Sequence, residues 1–480
     1  MTIGSTLGLV ADQKLVLFYG LRAALGLLSA YAEALYYQST SRHFGRRTAR
    51  YLLYILLFNA GIFHASTAFL PSSFSMVLVM LFTSAWMDKN HYLALFYGVV
   101  AVLCGWPYVG VLFIPFAAET VYTRGLIKSV LAGTSIGGVV LTLELLVNFY
   151  YYHRWVLPAW NIFVYNVLSN ETDSTLYGTE PLSYYLLNLS LNFNVVALLA
   201  VPAALFVFVL PSHYETAKVQ LVAYLSPMYI WVAIMFTQAH KEERFLSPIY
   251  PLVCLAAAIT LSAVVYHIGR FFSHARTVGS ALSQLIVVGT LGMYSLLSVS
   301  RIVSNVVNFG APLRVYKHLY TKVLPNPESD MSSNAVMSTV NLCLTKEWYR
   351  FPTSFFIPSN STKVQFIKSS FSGLLPKPFE EHLHGTSIIP SAMNDQNREE
   401  PSRYVSINVC DYVVDLNLFS QKEIKFWEEP ATWELVHAEQ FLDAERSKSP
   451  YRSFYIPMLT PRYVYYADYT IYKRKKDAAN

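Results

Sequence analysis

The chain has 480 residues, of which 54% are hydrophobic and only 14% are charged, and its formal net charge is +6. Ordinary soluble proteins carry about 25% charged residues, so this composition excludes a typical soluble globular fold. The basic residues fall into short clusters between apolar runs, which is the pattern of membrane topology signals and gives no indication of nucleic-acid binding.

Apolar runs recur before residue 300 and predict an α-helical polytopic membrane protein of about 8–10 spans, because each run can cross a ~30 Å hydrocarbon core. In chain order the predicted spans cover 14–37, 51–69, 72–87, 91–117, 129–148, 193–212, 219–236, 249–267 and 280–300. Gly105-Trp106-Pro107 interrupts the fourth run, so we predict two short helices that fold back on each other there. Residues 1–300 form the predicted multi-span module, and residues 301–480 form a second domain.

The positive-inside rule gives these spans an orientation. The loop 38–50 contains four arginines and no acidic residue, so we place it in the cytosol. Alternation then puts the loop 149–192, the loop around His240 and residues 301–480 on the lumenal side. This layout requires the run 91–117 to cross the membrane twice, since a single crossing would invert everything before it.

The second domain is more polar than the first and contains short alternating runs that predict strands. These strands are Val405–Val409, Tyr412–Leu416 and Tyr463–Tyr472. The segment Trp433–Ala444 is predicted as a helix that Thr432 could cap. We therefore expect a small mixed α/β domain on the lumenal face.

Covalent modification is suggested at two kinds of position. Asn170 and Asn360 begin glycosylation sequons on the predicted lumenal side, which agrees with the layout. Cys343 and Cys410 share the second domain and could form a disulfide, but the sequence alone does not decide between a bridge and free thiols.

The segment His240-Lys241-Glu242-Glu243-Arg244 carries four charges and a histidine between two long apolar runs, so we expect it at a membrane surface. Arg244 and Lys241 are candidate partners for a departing phosphate, and His240 could hydrogen-bond the same phosphate. Glu242 or Glu243 could contact sugar hydroxyls or orient Arg244. The competing interpretation is a simple interfacial anchor, which the charges alone favour.

Three further residues are candidates for sugar contacts. Tyr177 and Glu180 belong to Tyr177-Gly-Thr-Glu-Pro in an aromatic-rich loop, where an aromatic face could pack on a sugar and the carboxylate could accept a hydroxyl. An interfacial aromatic belt explains the same pattern equally well. Trp106 fits an interfacial anchor better than a sugar platform. No phosphate-binding loop, dinucleotide fingerprint or zinc-spaced cluster occurs in the sequence.

Several of these segments resemble one enzyme family. The run His240-Lys-Glu-Glu-Arg-Phe-Leu, followed by Pro248-Ile-Tyr-Pro-Leu, is similar to the signature of the endoplasmic-reticulum mannosyltransferases. Other matching runs are Phe69-Leu-Pro-Ser-Ser-Phe, Trp86-Met-Asp-Lys, Gly105-Trp-Pro, Tyr177-Gly-Thr-Glu-Pro, Leu191-Asn-Phe-Asn-Val, Lys346-Glu-Trp-Tyr-Arg-Phe-Pro, Leu375-Pro-Lys-Pro-Phe and Met393-Asn-Asp-Gln-Asn-Arg-Glu-Glu-Pro-Ser-Arg-Tyr. Together they resemble the α-1,2-mannosyltransferases of asparagine-linked glycan assembly, from about residue 14 to near the C-terminus.

The resemblance implies a function and its partners. Family members transfer mannose from dolichyl-phosphate-mannose to a lipid-linked oligosaccharide, with inversion, in the lumen, and without a metal or a cofactor. The expected partners are therefore the donor lipid, the acceptor lipid and membrane lipids, with no nucleic acid.

One departure from the family concerns the catalytic base. The resemblance places an acidic base in a first lumenal loop upstream of the span 14–37, and residues 1–13 contain no matching run. Asp12 stands in a different context, so the catalytic base stays unassigned and we expect this chain to lack transfer activity by itself.

Three alternatives to the active enzyme remain open at this point. The first is a catalytically inactive form of the same enzyme. The second is a sibling that acts on the glycolipid (GPI) anchor precursor, which should lack the run 393–404. The third is a transporter, against which the absence of a repeated set of spans argues.

Overall fold

The computed structural model describes residues 14–168, 174–210, 216–324, 339–358, 361–381, 383–420 and 422–475. Asp12, Asn170 and Asn360 lie outside the described residues. The chain divides into two compact units. The helical unit comprises Arg22–Val299 with Glu380–Ile388, and the sheet unit comprises Met1–Leu21, Ser300–Phe379 and Ile389–Asn480.

Most of the described chain is helical. In chain order the α-helices are α1 (Lys14–His43), α2 (Gly45–Phe58), α3 (Ala60–Ala65), α4 (Pro71–Met87), α5 (His91–Val100), α6 (Ile114–Arg124), α7 (Leu126–Tyr152), α8 (Pro158–Phe163), α9 (Leu182–Phe193), α10 (Val195–Ala200), α11 (Ala203–Val209), α12 (Lys218–Thr237), α13 (Tyr250–Phe271), α14 (Arg276–Phe309), α15 (Ala311–His318) and α16 (Thr460–Tyr463).

The predicted helical membrane fold is confirmed, although the number of long helices is smaller than the predicted number of spans. Within the described residues, five helices are long and apolar enough to cross a membrane, namely α1, α7, α12, α14 and the run Glu243–Phe271 that contains α13. The predicted spans 51–69 and 193–212 are each divided into two shorter helices. Asn59 divides the first, since its side chain accepts a hydrogen bond from Ile62 N and starts a new helix. Pro202 divides the second.

The interrupted run 91–117 forms a hairpin, as predicted. A Cβ atom on Gly98 would lie 3.4 Å from Phe113, so the chain that leaves along α5 returns beside it. The reversal occurs at Gly105, where a Cβ would approach Ser75 Oγ to 2.5 Å, and only glycine fits. Ser75 Oγ then accepts a hydrogen bond of 2.9 Å from Trp106 N, which fixes the position of the turn.

The sheet unit contains one mixed five-stranded sheet in the order β2-β1-β3-β5-β4. Its strands are β1 (Val340–Leu344), β2 (Thr362–Phe366), β3 (Tyr412–Leu416), β4 (Trp433–Asp443) and β5 (Tyr465–Arg474). β1 pairs in parallel with β2 and β3, whereas β5 pairs antiparallel with β3 and β4. Because side chains alternate along a strand, Leu342 and Leu344 pack with Tyr316 of α15, while Cys343 faces a second cluster with Trp433.

Two of the local predictions in this unit are wrong. The segment Trp433–Ala444 is not a helix, because it pairs with β5 from Trp433 to Asp443 and these backbone hydrogen bonds outweigh its local helix pattern. Val405–Val409 is not a strand, and its last three residues form a 3₁₀ turn in which Ser406 accepts a hydrogen bond from Asn408 N. The strands predicted around Tyr412–Leu416 and Tyr463–Tyr472 are present as β3 and β5.

Cys343 and Cys410 form a disulfide with a Cα–Cα distance of 5.8 Å. Cys343 lies in β1, an interior strand between β2 and β3, and both half-cystines are buried in the same apolar cluster. The bridge closes a loop of 67 residues, and a crosslink of this kind stabilises a small domain mainly by restricting its unfolded chain.

Candidate functional site

The charged segment lies in a short loop between α12 and α13. The apolar helix α12 ends at Thr237, and a 3₁₀ turn, Glu243–Ile249, leads into α13. Trp231 of α12 donates its indole N–H to Phe245 O at 2.9 Å, which folds the turn back against the helix that precedes it. We call residues 238–245 the charged loop.

Three hydrogen bonds join the charged loop to the segment 177–180. His240 Nδ1 lies 2.9 Å from Gly178 O, and Lys241 Nζ donates to Glu180 O at 2.8 Å. In the opposite direction, Glu180 N donates to Ala239 O at 3.0 Å. Since two of these bonds are formed by the backbone of residue 180, the two segments form one continuous wall.

This wall borders a cavity of about 630 Å³. The cavity brings together most of the residues that the sequence singled out. Its lining residues are Trp106, Tyr108, Ile162, Tyr165, Asn166, Tyr177, Gly178, Glu180, His240, Lys241, Glu242, Arg244 and Phe245. Glu243 is not among them.

Arg244 is oriented by Glu242. Its Nε lies 2.6 Å from Glu242 Oε2 and its Nη2 donates to Glu242 Oε1 at 2.9 Å, which is a two-pronged contact. His240 Nε2 lies 3.3 Å from Glu242 Oε1. Burial by itself would raise the pKa of Glu242, but its contacts with Arg244 and then His240 outweigh burial and lower it. Glu242 is therefore a carboxylate at neutral pH, and the pair with Arg244 is lost only when the pH falls through this lowered pKa.

Lys241 and Glu243 have other contacts than the sequence suggested. Lys241 is only 6% exposed, and its ammonium donates to the carbonyls of Glu180 and Gln238. These bonds use two of its three donors, so Lys241 mainly holds the two segments together. Glu243 faces away from the cavity and accepts a 2.7 Å hydrogen bond from Asn192 Nδ2.

Aromatic side chains also line the cavity. Trp106, at the turn of the hairpin, lies 5.1 Å from the ring of Phe245 and 5.5 Å from that of Trp231. Tyr177 lies 6.2 Å from the ring of His240, and its hydroxyl is 2.7 Å from that of Tyr165. Trp106 is thus packed against the charged loop, which a purely interfacial anchor does not require.

Glu180 supplies the second carboxylate of the cavity. Its backbone is fixed by the two bonds to the charged loop, but its carboxylate has no hydrogen bond or ion pair with any described residue. Because Glu242 is already engaged by Arg244, Glu180 is the carboxylate that can accept hydrogen bonds from a ligand. Among the described residues, no group of three His, Cys, Asp or Glu side chains could hold a metal ion.

Sequence reasoning missed part of the cavity. Tyr108, Ile162 and Asn166 gave no signal of their own, although Tyr108 follows the recognised Gly-Trp-Pro run and donates its hydroxyl to Ile162 O at 3.2 Å. The contact between Asn192 and Glu243 was also missed. The run Leu191-Asn-Phe-Asn-Val contains Asn192, but no sequence pattern shows which residue it contacts.

Asn192 connects the charged loop to the buried core. It is 2% exposed and contacts both Glu243 and, at 3.4 Å, the hydroxyl of Tyr250 at the start of α13. Its carbonyl accepts a 3.4 Å hydrogen bond from Asn59 Nδ2, and Asn59 itself starts α3. This chain of amides fixes the position at which the charged loop enters α13.

Comparison with known proteins identifies the family. Residues 3–358 match the Alg9-like mannosyltransferase family. The chain belongs to this family. It is 38% identical to the alpha-1,2-mannosyltransferase ALG9 of Homo sapiens over 479 residues, which cover 98% of this chain and 77% of the human protein. The corresponding protein of Mus musculus is 37% identical over the same shares.

More distant proteins are less informative. GPI mannosyltransferase 3 of Candida albicans is 23% identical over 51% of this chain and 48% of its own length. The crystal structure of ArnT from Cupriavidus metallidurans bound to undecaprenyl phosphate has a TM-score of 0.43 at 11% identity, covering 72% of this chain and 71% of that one. The family membership makes this chain a glycosyltransferase, which excludes the transporter alternative.

Loss of the Asn192 side-chain amide should reduce mannose transfer, because Glu243 in the charged loop then loses its hydrogen-bond donor. A hydrogen bond to a charged group contributes about 1.5–3 kcal/mol, so in a catalytically active version of the enzyme Asn192→Ala should lower turnover by roughly 10-fold or more in a mannose-transfer assay. Asn188→Ala is the matched control, since Asn188 is also buried on α9 and its amide nitrogen has no hydrogen-bond partner among the described residues.

A double-mutant cycle separates positioning from a general loss of stability. If Asn192 acts by holding Glu243, then Asn192→Ala combined with Glu243→Gln should be no worse than the more damaging single change. Additive losses, or full activity in Asn192→Ala, would contradict this role.

Proposed function

We propose that this protein transfers mannose from dolichyl-phosphate-mannose, in α-1,2 linkage, to the dolichyl-diphosphate-linked oligosaccharide precursor of N-glycans. The transfer inverts the anomeric centre, needs no metal, and takes place in the lumen of the endoplasmic reticulum. Membership of the Alg9-like family supports the proposal. The observation that carries it is a single cavity that combines an oriented arginine, an unengaged carboxylate and aromatic walls.

Arg244 is the proposed partner of the donor phosphate. The charged loop follows one apolar helix and precedes another, so a phosphate anchored to a membrane lipid can reach it without leaving the bilayer surface. Negative charge develops on this phosphate as the bond to mannose breaks, and a guanidinium already held in place by Glu242 stabilises that charge without reorganisation. His240, which contacts both Glu242 and Gly178 O, borders the same position.

Glu180, Tyr177 and Trp106 are the proposed sugar contacts. Glu180 offers a carboxylate that can accept hydrogen bonds from sugar hydroxyls, and the two aromatic rings offer flat apolar faces beside it. Glu242 is a poor candidate for the catalytic base, because Arg244 and His240 occupy its oxygens and lower its pKa.

The lumenal location of the sheet unit is supported by its covalent structure. Disulfides form and persist in oxidising compartments such as the lumen of the endoplasmic reticulum, and they are rare in the cytosol. The bond between Cys343 and Cys410 therefore favours the orientation that the arginine-rich loop 38–50 indicates.

In a catalytically active version of the enzyme, Arg244→Ala should lower mannose transfer by roughly 100-fold or more, because loss of one preorganised donor to a developing anion has an effect of that size. Arg244→Lys should restore transfer only in part, since the two-pronged contact with Glu242 is lost. The assay expresses this active version and its variants in cells that lack the endogenous α-1,2-mannosyltransferase and measures the size of the accumulated lipid-linked oligosaccharide.

A binding measurement makes the same test independent of turnover. The purified chain is photolabelled with a benzophenone analogue of dolichyl phosphate, and Arg244→Ala should reduce labelling. Arg270→Ala, at the far end of α13, is the matched control and should leave both readouts unchanged. If Arg244→Ala keeps wild-type transfer and wild-type labelling, the charged loop is an interfacial anchor and Arg244 does not bind the donor phosphate.

The orientation of the sheet unit can be measured in sealed microsomes. An epitope tag after residue 480 should resist an added protease until detergent opens the vesicles, because residues 301–480 are proposed to lie in the lumen. Digestion of the tag in intact vesicles would show that this orientation is wrong.

A further inference from the structure

A second cavity, of about 570 Å³, lies at the open end of the hairpin. The turn of the hairpin carries Trp106 and borders the candidate site, whereas the open end carries His91 and Arg124 and borders this second cavity. The 15 residues from His91 to Gly105 span roughly 20 Å at 1.5 Å per helical residue. The two cavities are therefore at opposite ends of the same hairpin.

The mouth of the second cavity is positively charged. Arg124 and Lys128 both line it, and neither forms an ion pair with a described residue. None of the lining residues, all of which lie in the described range 91–132, is acidic. The nearby carboxylate of Glu119 is already engaged, because it accepts hydrogen bonds from Trp86 Nε1 at 2.7 Å and from Lys89 Nζ at 2.8 Å.

A smaller, apolar cavity of about 320 Å³ lies next to it along the hairpin and shares three of its lining residues, Leu95, Phe113 and Phe116. This second part runs past Gly98 and Gly110, with Gly137 of α7 on the facing side. The space is open at Gly137, where an added Cβ would meet no heavy atom within 4 Å. We call these two adjacent cavities the hairpin groove.

We propose that the hairpin groove binds one anionic phospholipid from the leaflet opposite the candidate site. The phosphate lies between Arg124 and Lys128, and one acyl chain follows Phe113 and Phe116 towards Gly137. Basic pockets between membrane helices select anionic headgroups, whereas convex helix surfaces contact bulk lipid without such selection. Charge at the mouth and an apolar channel behind it match an amphipathic anion, and they do not match a soluble phosphate compound.

The hairpin groove is separate from the proposed mannose-transfer site, and the lipid-binding proposal does not depend on the proposed transfer function. Its residues belong to α4, α5, α6, α7 and the hairpin segment 101–113, and none of them lines the first cavity. A failure to bind phospholipid would therefore leave the assignment of Arg244 and Glu180 unaffected.

The first experiment measures headgroup selection. The full chain is delipidated in detergent and titrated with palmitoyl-oleoyl phosphatidylserine or with the matching phosphatidylcholine, and bound lipid is counted by native mass spectrometry. We expect one tightly retained phosphatidylserine and no comparable retention of phosphatidylcholine. Each basic residue near an anionic headgroup contributes roughly fivefold in affinity, so Arg124→Ala with Lys128→Ala should weaken phosphatidylserine binding by roughly 25-fold.

A matched charge control uses two cations outside the groove. Arg46 and Arg47 are exposed residues in the first turn of α2, and they do not line the groove. Arg46→Ala with Arg47→Ala removes the same net charge and should leave phosphatidylserine binding unchanged. Equal losses in the two double variants, or equal retention of both lipids by the wild type, would overturn the proposal.

The second experiment fills the apolar part of the groove. Gly137→Leu places a side chain in the open space and should weaken phosphatidylserine binding, while Gly138→Leu, on the next position of α7, also meets open space but does not line the groove. Glycerophosphoserine, which has the headgroup without acyl chains, should not compete. The proposal fails if Gly138→Leu weakens binding as much as Gly137→Leu, if glycerophosphoserine competes fully, or if a polyprenyl phosphate displaces phosphatidylserine from the wild type.

Discussion

The candidate site depends on the hydrogen bonds that join the charged loop to the segment 177–180, because they connect parts of the chain 62 residues apart. The contact of Lys241 is the most demanding of them. Burial of an unpaired ammonium is costly, and here carbonyls from both segments, those of Glu180 and Gln238, solvate the charge. Without these bonds Glu180 and Arg244 would no longer line the same cavity.

The hairpin provides the other half of the site through steric constraints. Gly105 permits the close approach to Ser75, and the hydrogen bond from Trp106 N to Ser75 Oγ then sets where the tryptophan ring can lie. That ring packs against Phe245, which is itself held by the indole of Trp231. The polar and aromatic walls are thus linked through packed contacts, so a change on the hairpin can alter the geometry around Arg244.

The sequence predicted individual residues of the site better than their arrangement. Charge and flanking apolar runs identified the loop that contains Arg244, and the Gly-Trp-Pro pattern identified the turn at Trp106, since both signals are local. The contact of Asn192 with Glu243 has no local signal, because the two residues are 51 positions apart in the sequence. The error at Trp433–Ala444 has the same origin: the pairing partner of this segment, β5, is more than 20 residues away, and a window of local sequence does not contain it.

The central claim is that the charged loop and the segment 177–180 bind a mannosyl phosphate lipid in one cavity. A structure of the full chain in a lipid nanodisc, with a non-cleavable mannosyl phosphonate analogue of the donor, tests this claim most directly. The claim predicts the phosphonate within hydrogen-bonding distance of the Arg244 guanidinium and the mannose beside Glu180 and Tyr177. An analogue bound elsewhere, with the cavity between Trp106 and Glu180 empty, would contradict it.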